Sequence, residues 1–134
     1  MPEASFDWRD VRLRKHADYQ RVYRESRRHS SASMSYFFRA RPAGEPGVAA
    51  PRIGLTAGRV LGNAVERNRI RRRMREAARM HLSELPTCVD VVLHPRRMVL
   101  NMEFARLESE VAKIFASVRT SVTRNLATST GVTQ

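Results

Sequence analysis

Between Asn63 and Arg79 the chain reads NAVERNRIRRRMREAAR, and this segment constrains the fold more than any other. Asn63 suits a helix N-cap, and Glu66 three residues later completes a capping-box pattern. The helix it starts can run to about Ser83 before Pro86 stops it. At 100° per residue, Ile70, Met74, Ala77, Ala78 and His81 share one narrow face. Asn68, Arg72, Arg75 and Arg79 share the opposite face, flanked by Arg69 and Arg71. Arg67 and Arg73 fall nearer the apolar side and must snorkel. One face therefore docks on a sheet, while the other presents guanidinium groups along about 16 Å, the length of several successive phosphates.

A solvated helix face usually alternates charge sign at i, i+4. Here seven arginines between 67 and 79 meet only Glu76. Like charges so close destabilise an isolated helix, which argues for an anionic partner. The whole chain agrees: 25 Lys+Arg stand against 13 Asp+Glu, a formal net charge of +12. Nucleic acid is the expected partner, ahead of an anionic membrane surface. Only Lys15 and Lys113 are lysines. Guanidinium forks onto phosphate and stacks on bases, but codon bias also produces arginine, so composition does not choose RNA over DNA.

The 134 residues suggest one domain, placed at 1–122, with 1–11 a loose arm anchored by Phe6 or Trp8 and a frayed tail from Thr123. His16 to Ser26 reads as a short helix, with Tyr19, Val22 and Tyr23 on one face. Met34 to Arg41 reads as an aromatic strand, Pro42 to Pro51 as a turn or hairpin loop, and Arg52 to Ala57 as a second strand. Gly58 and Gly62 bracket Arg59 in a loop before the arginine helix, whose N-terminal N–H groups would attract phosphate. Cys88 to Leu93 reads as a buried strand, with Cys88, the sole cysteine, a small apolar residue within it. Phe104, Leu107, Val111, Ile114, Phe115, Val118 and Val122 form one apolar stripe on a last helix, with Asn101 as its cap. The order α-β-β-(β)-α-β-α predicts an α+β sandwich, helices packed on a mostly antiparallel sheet. With no apolar leader segment and no membrane-length run, the expected compartment is the cytoplasm.

Taken together, Arg52 to Arg75 resembles the signature of the bacterial ribonuclease P protein family. The matching positions are Gly54-Leu55, Gly62-Asn63-Ala64-Val65, Arg67-Asn68-Arg69, and Arg71, Arg72, Arg73 and Arg75. A looser likeness runs from about Arg12 to Val118, through Asp18-Tyr19, Val22-Tyr23, and Asp90 to Leu93 with Arg96. The chain departs from the pattern at Val60, where members usually carry a basic residue, and at Gly58, where many carry Ser. Tyr replaces Phe at both helix positions.

The resemblance implies a left-handed βαβ crossover and two RNA surfaces. Contact with a catalytic RNA subunit carries over to Arg59, Asn63, Arg67, Asn68, Arg69, Arg71, Arg72, Arg75 and Arg79. A cleft for the single-stranded 5′ leader of precursor tRNA carries over to Tyr19, Tyr23 and one strand aromatic, with Arg52 and Arg96. Ungapped alignment from Tyr23 selects Phe37; Tyr36 and Phe38 are the alternatives. Stacking of bases on aromatic rings beside cations suits single-stranded RNA. Packing of Tyr19 and Tyr23 into the core is the competing reading.

The acids and the four histidines are scattered, with no Asp-x-Asp, His-x-His or Glu-x-x-His pair, so neither catalytic nor metal-ligating residues are expected in this chain. The resemblance implies an endoribonuclease whose RNA performs Mg²⁺-dependent hydrolysis. Ribonuclease P RNA and precursor tRNA are then the partners, with no membrane and no stable protein partner. A ribosomal protein and a free-standing nuclease are the rival readings.

Overall fold

A computed structural model describes residues 8–42 and 50–132, with side chains through residue 124. Phe6 and most of the Pro42–Pro51 loop lie outside the described residues. The elements are helices α1 (Trp8–Val11) and α2 (His16–Glu25), strands β1 (His29–Ser30), β2 (Met34–Ala40) and β3 (Arg52–Leu55), helix α3 (Ala64–Arg79), strand β4 (Val89–Pro95) and helix α4 (Phe104–Val132). Short 3-10 turns cover Arg59–Leu61, Leu82–Glu84 and Arg97–Leu100.

The four strands lie in the order β1-β2-β4-β3. β2 runs antiparallel to β1 and to β4, whereas β3 runs parallel to β4. This is the expected α+β architecture with a mostly antiparallel sheet. The segment between β2 and β3 is not a hairpin loop, however, because β4 is paired with both strands and lies between them. A parallel pair needs a crossover, and α3 supplies it between β3 and β4.

Alternation along the strands divides the side chains between two faces. Met34, Tyr36, Val89, Val91, Leu93 and Ile53 join the main core with Ile70, Met74, Ala77 and Ala78 of α3. From α4, Leu107, Val111, Ile114, Phe115, Val118 and Val122 are buried there, with Phe104 partly so. Each large apolar side chain buried in this way contributes about 1.5–3 kcal/mol. The other face carries a smaller cluster of Leu13, Val22 and Val92, against which Tyr19, Tyr23 and Phe37 pack half-buried.

Four local expectations change. The arm is not loose at its inner end: Val11 is fully buried, Arg12 bridges to Ile53, and the Leu13 amide donates to the Ile53 carbonyl at 2.8 Å. These contacts satisfy the outer edge of β3. Cys88 is exposed at φ 60°, the last turn residue before β4 rather than part of the strand. α3 stops at Arg79, short of Ser83, where His81 turns in to meet Glu84 at 2.5 Å and Glu108 at 3.2 Å. α4 begins at Phe104 and continues to Val132 through the expected tail; Asn101 ends the preceding 3-10 turn instead of capping it.

Candidate nucleic-acid interface

Three aromatic rings meet on the α2 face of the sheet. Tyr19 and Tyr23 lie one helical turn apart on α2, and the intervening Val22 is fully buried between helix and sheet. Phe37 of β2 projects toward them, its ring 5.0 Å from that of Tyr23 in an edge-to-face arrangement. His94 joins from β4, 5.2 Å from Phe37 and 5.6 Å from Tyr23 between centroids. Tyr36 lies on the opposite face, stacked on His29 at 5.1 Å, and Phe38 stacks on the same histidine at 5.0 Å. Of the three neighbouring strand aromatics, Phe37 is therefore the one on the α2 face.

Close approach at Gly54 seats Tyr19: a Cβ there would lie 2.8 Å from the Tyr19 ring. Burial pushes the Tyr19 and Tyr23 phenols above their ordinary range, so both keep their protons at neutral pH. Burial also lowers His94, helped by the nearby Arg28 charge, so its ring favours the neutral form. The Tyr23 hydroxyl lies 2.8 Å from His94 Nε2.

Cations flank these rings. Arg28 donates to Ser35 Oγ at 3.2 Å, and Arg96 donates to the Ser31 and Ala32 carbonyls at 2.8 and 3.1 Å. Because Ser35 pairs in register with His94, Arg28 marks the His94 end of the ring cluster. Arg52 is placed differently from a rim residue. Its guanidinium donates to both carboxylate oxygens of fully buried Asp90, at 2.8 and 2.9 Å, and lies 3.6 Å from Asp18 of α2. Arg41 reaches the same Asp90 at 2.5 Å, and Arg39 links across to Glu25 of α2 at 2.8 Å. This charge network ties helix to sheet at the base of the ring cluster.

Sequence reasoning missed His94 and Arg28. His94 was legible as the same-face neighbour of Val92, two residues along β4.

On the other side of the sheet, α3 opens with the expected reciprocal cap. The Glu66 amide donates to Asn63 Oδ1 at 2.9 Å, and the Asn63 amide donates to Glu66 Oε1 at 3.0 Å. Arg97 also grips Glu66 at 2.9 Å, and these bonds hold its carboxyl down to about 2. Gly62 is at φ 131°, and a Cβ would collide with Glu66 and Arg97. Asn68, Arg69, Arg72, Arg75 and Arg79 are exposed, as are Asn63 and Arg59 in the loop before the helix.

The arginines are not equivalent. Arg71 donates to Asn68 Oδ1 at 2.9 Å and to the Ala57 carbonyl at 3.3 Å, while Arg79 pairs with Glu76 at 2.6 Å. Arg67 is half-buried, its Nε without a hydrogen-bond partner. Arg73 is structural: it donates to the Val99 and Met102 carbonyls and lies over the Phe104 ring. Val60 and Val65 are 90% and 77% exposed at the start of the helix. Among the described residues, no group of three or more His, Cys, Asp or Glu is arranged to hold a metal ion, and no helix is long and apolar enough to cross a membrane.

The family model described as Ribonuclease P matches residues 8–119. The chain belongs to the ribonuclease P protein family. It is 38% identical over 104 residues to the ribonuclease P protein component of Chloroflexus aggregans, covering 77% of this chain and 73% of that one. A ribonuclease P protein component from Finegoldia magna is 31% identical over 106 residues, covering 79% and 88%. The fold is similar to that of the RNase P protein of Staphylococcus aureus, with TM-score 0.63, 25% identity, and 78% and 97% of the two chains covered. The Thermotoga maritima RNase P protein shares the fold at TM-score 0.67 and 23% identity, covering 79% and 96%. Membership in the ribonuclease P protein family makes this an RNA-binding chain of tRNA processing, part of an endoribonuclease ribonucleoprotein.

Proposed function

We propose that this chain holds the single-stranded 5′ leader of precursor tRNA against α2 and the sheet while α3 docks on the catalytic RNA. The observation that carries the reading is the convergence of half-buried Tyr19, Tyr23 and Phe37 on one sheet face, with His94 among them and Arg28 beside them. Bases stack on ring faces whatever their sequence, and arginine neutralises the phosphates between them. That chemistry suits leaders that vary from one precursor to another.

The exposed guanidinium stripe of Arg69, Arg72 and Arg75 supports the second contact, and Arg59 and Asn63 extend it along the loop before α3. In this reading Mg²⁺ sits with the RNA, which would supply the hydrolysis. The chain's own contribution is positional: it fixes the leader, screens charge between two RNAs, and so raises metal occupancy at low Mg²⁺. It acts as one RNA-binding domain in the cytoplasm, assisting the conversion of precursors to tRNA with a mature 5′ end.

Tyr23→Ala in the reconstituted ribonucleoprotein tests this. Precursor binding should weaken by ~1–3 kcal/mol, the range for one lost stacked base. Affinity for mature tRNA and for the RNA subunit should stay within twofold or so. Equal losses for every ligand, with a lower melting temperature, would return the ring to a packing role. Cleavage by the RNA-free protein would overturn the division of labour.

A further inference from the structure

The opposite face of the sheet carries a second groove, one end of which reaches Glu25 and Ser26 at the end of α2. A concavity of about 640 Å³ lies between α4 and the β1–β2 edge, and it shares Lys113 and Ser117 with a neighbouring concavity of about 520 Å³. That one shares Ser121 and Arg124 with a third of about 280 Å³, so the three form one continuous channel. Its outer wall has a clear sign of charge. Arg106, Lys113 and Arg124 are all exposed and fall within about 20° of one line along α4, spread over about 27 Å. Arg27 adds a fourth cation at the far end.

The two acids beside it are already occupied. Glu25 pairs with Arg39 at 2.8 Å, and Glu110 accepts from the Ser31 hydroxyl and the Ser33 amide. Rings form the inner wall: His29 and Phe38 are half-buried, and Tyr36 lies beneath them. A row of cations over aromatic rings is the arrangement that tracks a single-stranded backbone and stacks its bases. Serine and threonine hydroxyls along the same wall suit the ribose 2′-OH.

We propose that this channel holds an unpaired segment of the ribonuclease P RNA subunit, an inference that rests on α3 being the face that docks on that RNA. One observation favours the RNA subunit over the leader. α4 packs directly on α3, and helices in contact lie about 8–10 Å apart, so RNA on the α3 rail need cross only one helix to reach the channel.

The test uses the full chain assembled with its RNA. The variant Arg106→Ala/Lys113→Ala/Arg124→Ala alters exposed side chains only, and circular dichroism checks the fold. RNA-subunit affinity should fall about tenfold, and the salt slope should shrink by about 2, near 0.7 for each lost single-strand phosphate contact. The preference for precursor over mature tRNA should not change. Separately, Ser117→Cys carrying a photoactivatable cross-linker should form adducts at unpaired nucleotides of the RNA subunit. Unchanged affinity and slope would overturn the proposal, and so would adducts confined to the precursor or found on neither RNA. Arg72→Ala/Arg75→Ala serves as the control. If it weakens RNA-subunit binding while the channel variant does not, only the channel reading falls. If neither variant has an effect, the assignment of α3 falls with it.

Discussion

The Tyr23 hydroxyl on α2 meets Nε2 of His94 on β4 at 2.8 Å, joining residues 71 positions apart in the chain. With the proton of the neutral imidazole on Nδ1, the phenol donates to a nitrogen that has no proton of its own. This polarity belongs to the neutral His94 that burial favours; a protonated ring would reverse it, Nε2–H donating to the phenol oxygen.

Acidification should lower stability through His94. A histidine held below 6.5 in the folded protein takes up its proton more readily when unfolded. Its contribution to stability is complete above 6.5 and declines as pH falls from there toward the lowered folded value. Chemical denaturation at pH 7 and pH 5 should show a smaller loss for His94→Gln than for the parent chain. His29, which is also lowered by burial, remains in both proteins and cancels in the comparison. An identical loss in the two proteins would show that His94 does not set the pH dependence.

Tyr23→Phe separates the ring from its hydroxyl. If stacking dominates leader binding, this variant should bind precursor within a few-fold of the parent. Losing the hydrogen bond should cost stability about 0.5–1.5 kcal/mol. A loss of precursor affinity as large as that of Tyr23→Ala would show that the hydroxyl, not the ring, is what the RNA needs.

Gly54→Ala reaches the site from behind. The new methyl would sit 2.8 Å from Tyr19, forcing that half-buried ring outward. Overpacking of this kind costs about 1–3 kcal/mol in stability. Precursor affinity should fall while RNA-subunit affinity stays constant; a selective loss of RNA-subunit binding would contradict the assignment of the two faces.

Asp90 should be the most sensitive charged position. Its carboxylate is fully buried and accepts from Arg41 and Arg52, with Arg39 at 3.6 Å. Asp90→Ala removes a carboxylate that three guanidinium groups share, and breaking a buried ion pair from one side typically costs about 3–5 kcal/mol. Thermal unfolding should register this as a large drop in Tm, whereas a change within about 1 kcal/mol would mean that water reaches the site.

Salt dependence probes the helix α3 contact. Arg72 and Arg75 are exposed, so Arg72→Ala/Arg75→Ala should leave stability nearly intact. RNA-subunit binding should weaken, and the slope of log K against log[salt] should shrink by about 0.7–0.9 per lost phosphate contact. An unchanged slope would reassign this stripe to solvent.

The three longer helices were legible because their signals are local, whereas α1 fell within the expected loose arm. The Asn63–Glu66 cap and the apolar stripe from Phe104 to Val122 are complete within a few turns of chain. Strand order was not legible. Whether β2 pairs with β3 or admits β4 depends on long-range register, and the Pro- and Gly-rich loop between β2 and β3 resembles a hairpin whichever occurs. The same limit hid the role of Arg52: its partner Asp90 lies 38 residues away. A carboxylate inside the apolar run VDVVL was the available clue, since a buried charge needs a partner. Cys88 continues the apolar run VDVVL in sequence, yet at φ 60° it belongs to the turn before Val89.

The central position of β4 also governs how the chain can fold during synthesis. β2 and β3 leave the ribosome first, yet neither has the other as a neighbour in the sheet. Until residues 89–95 emerge, both strands lack their principal partner, while α3 can already form from its own local signals. Non-local pairing of this kind is slow and leaves strand edges open to aggregation. Nascent chains arrested before Val89 should therefore contain helix α3 without the four-stranded sheet, and a charged arginine surface would exist before the domain that carries it.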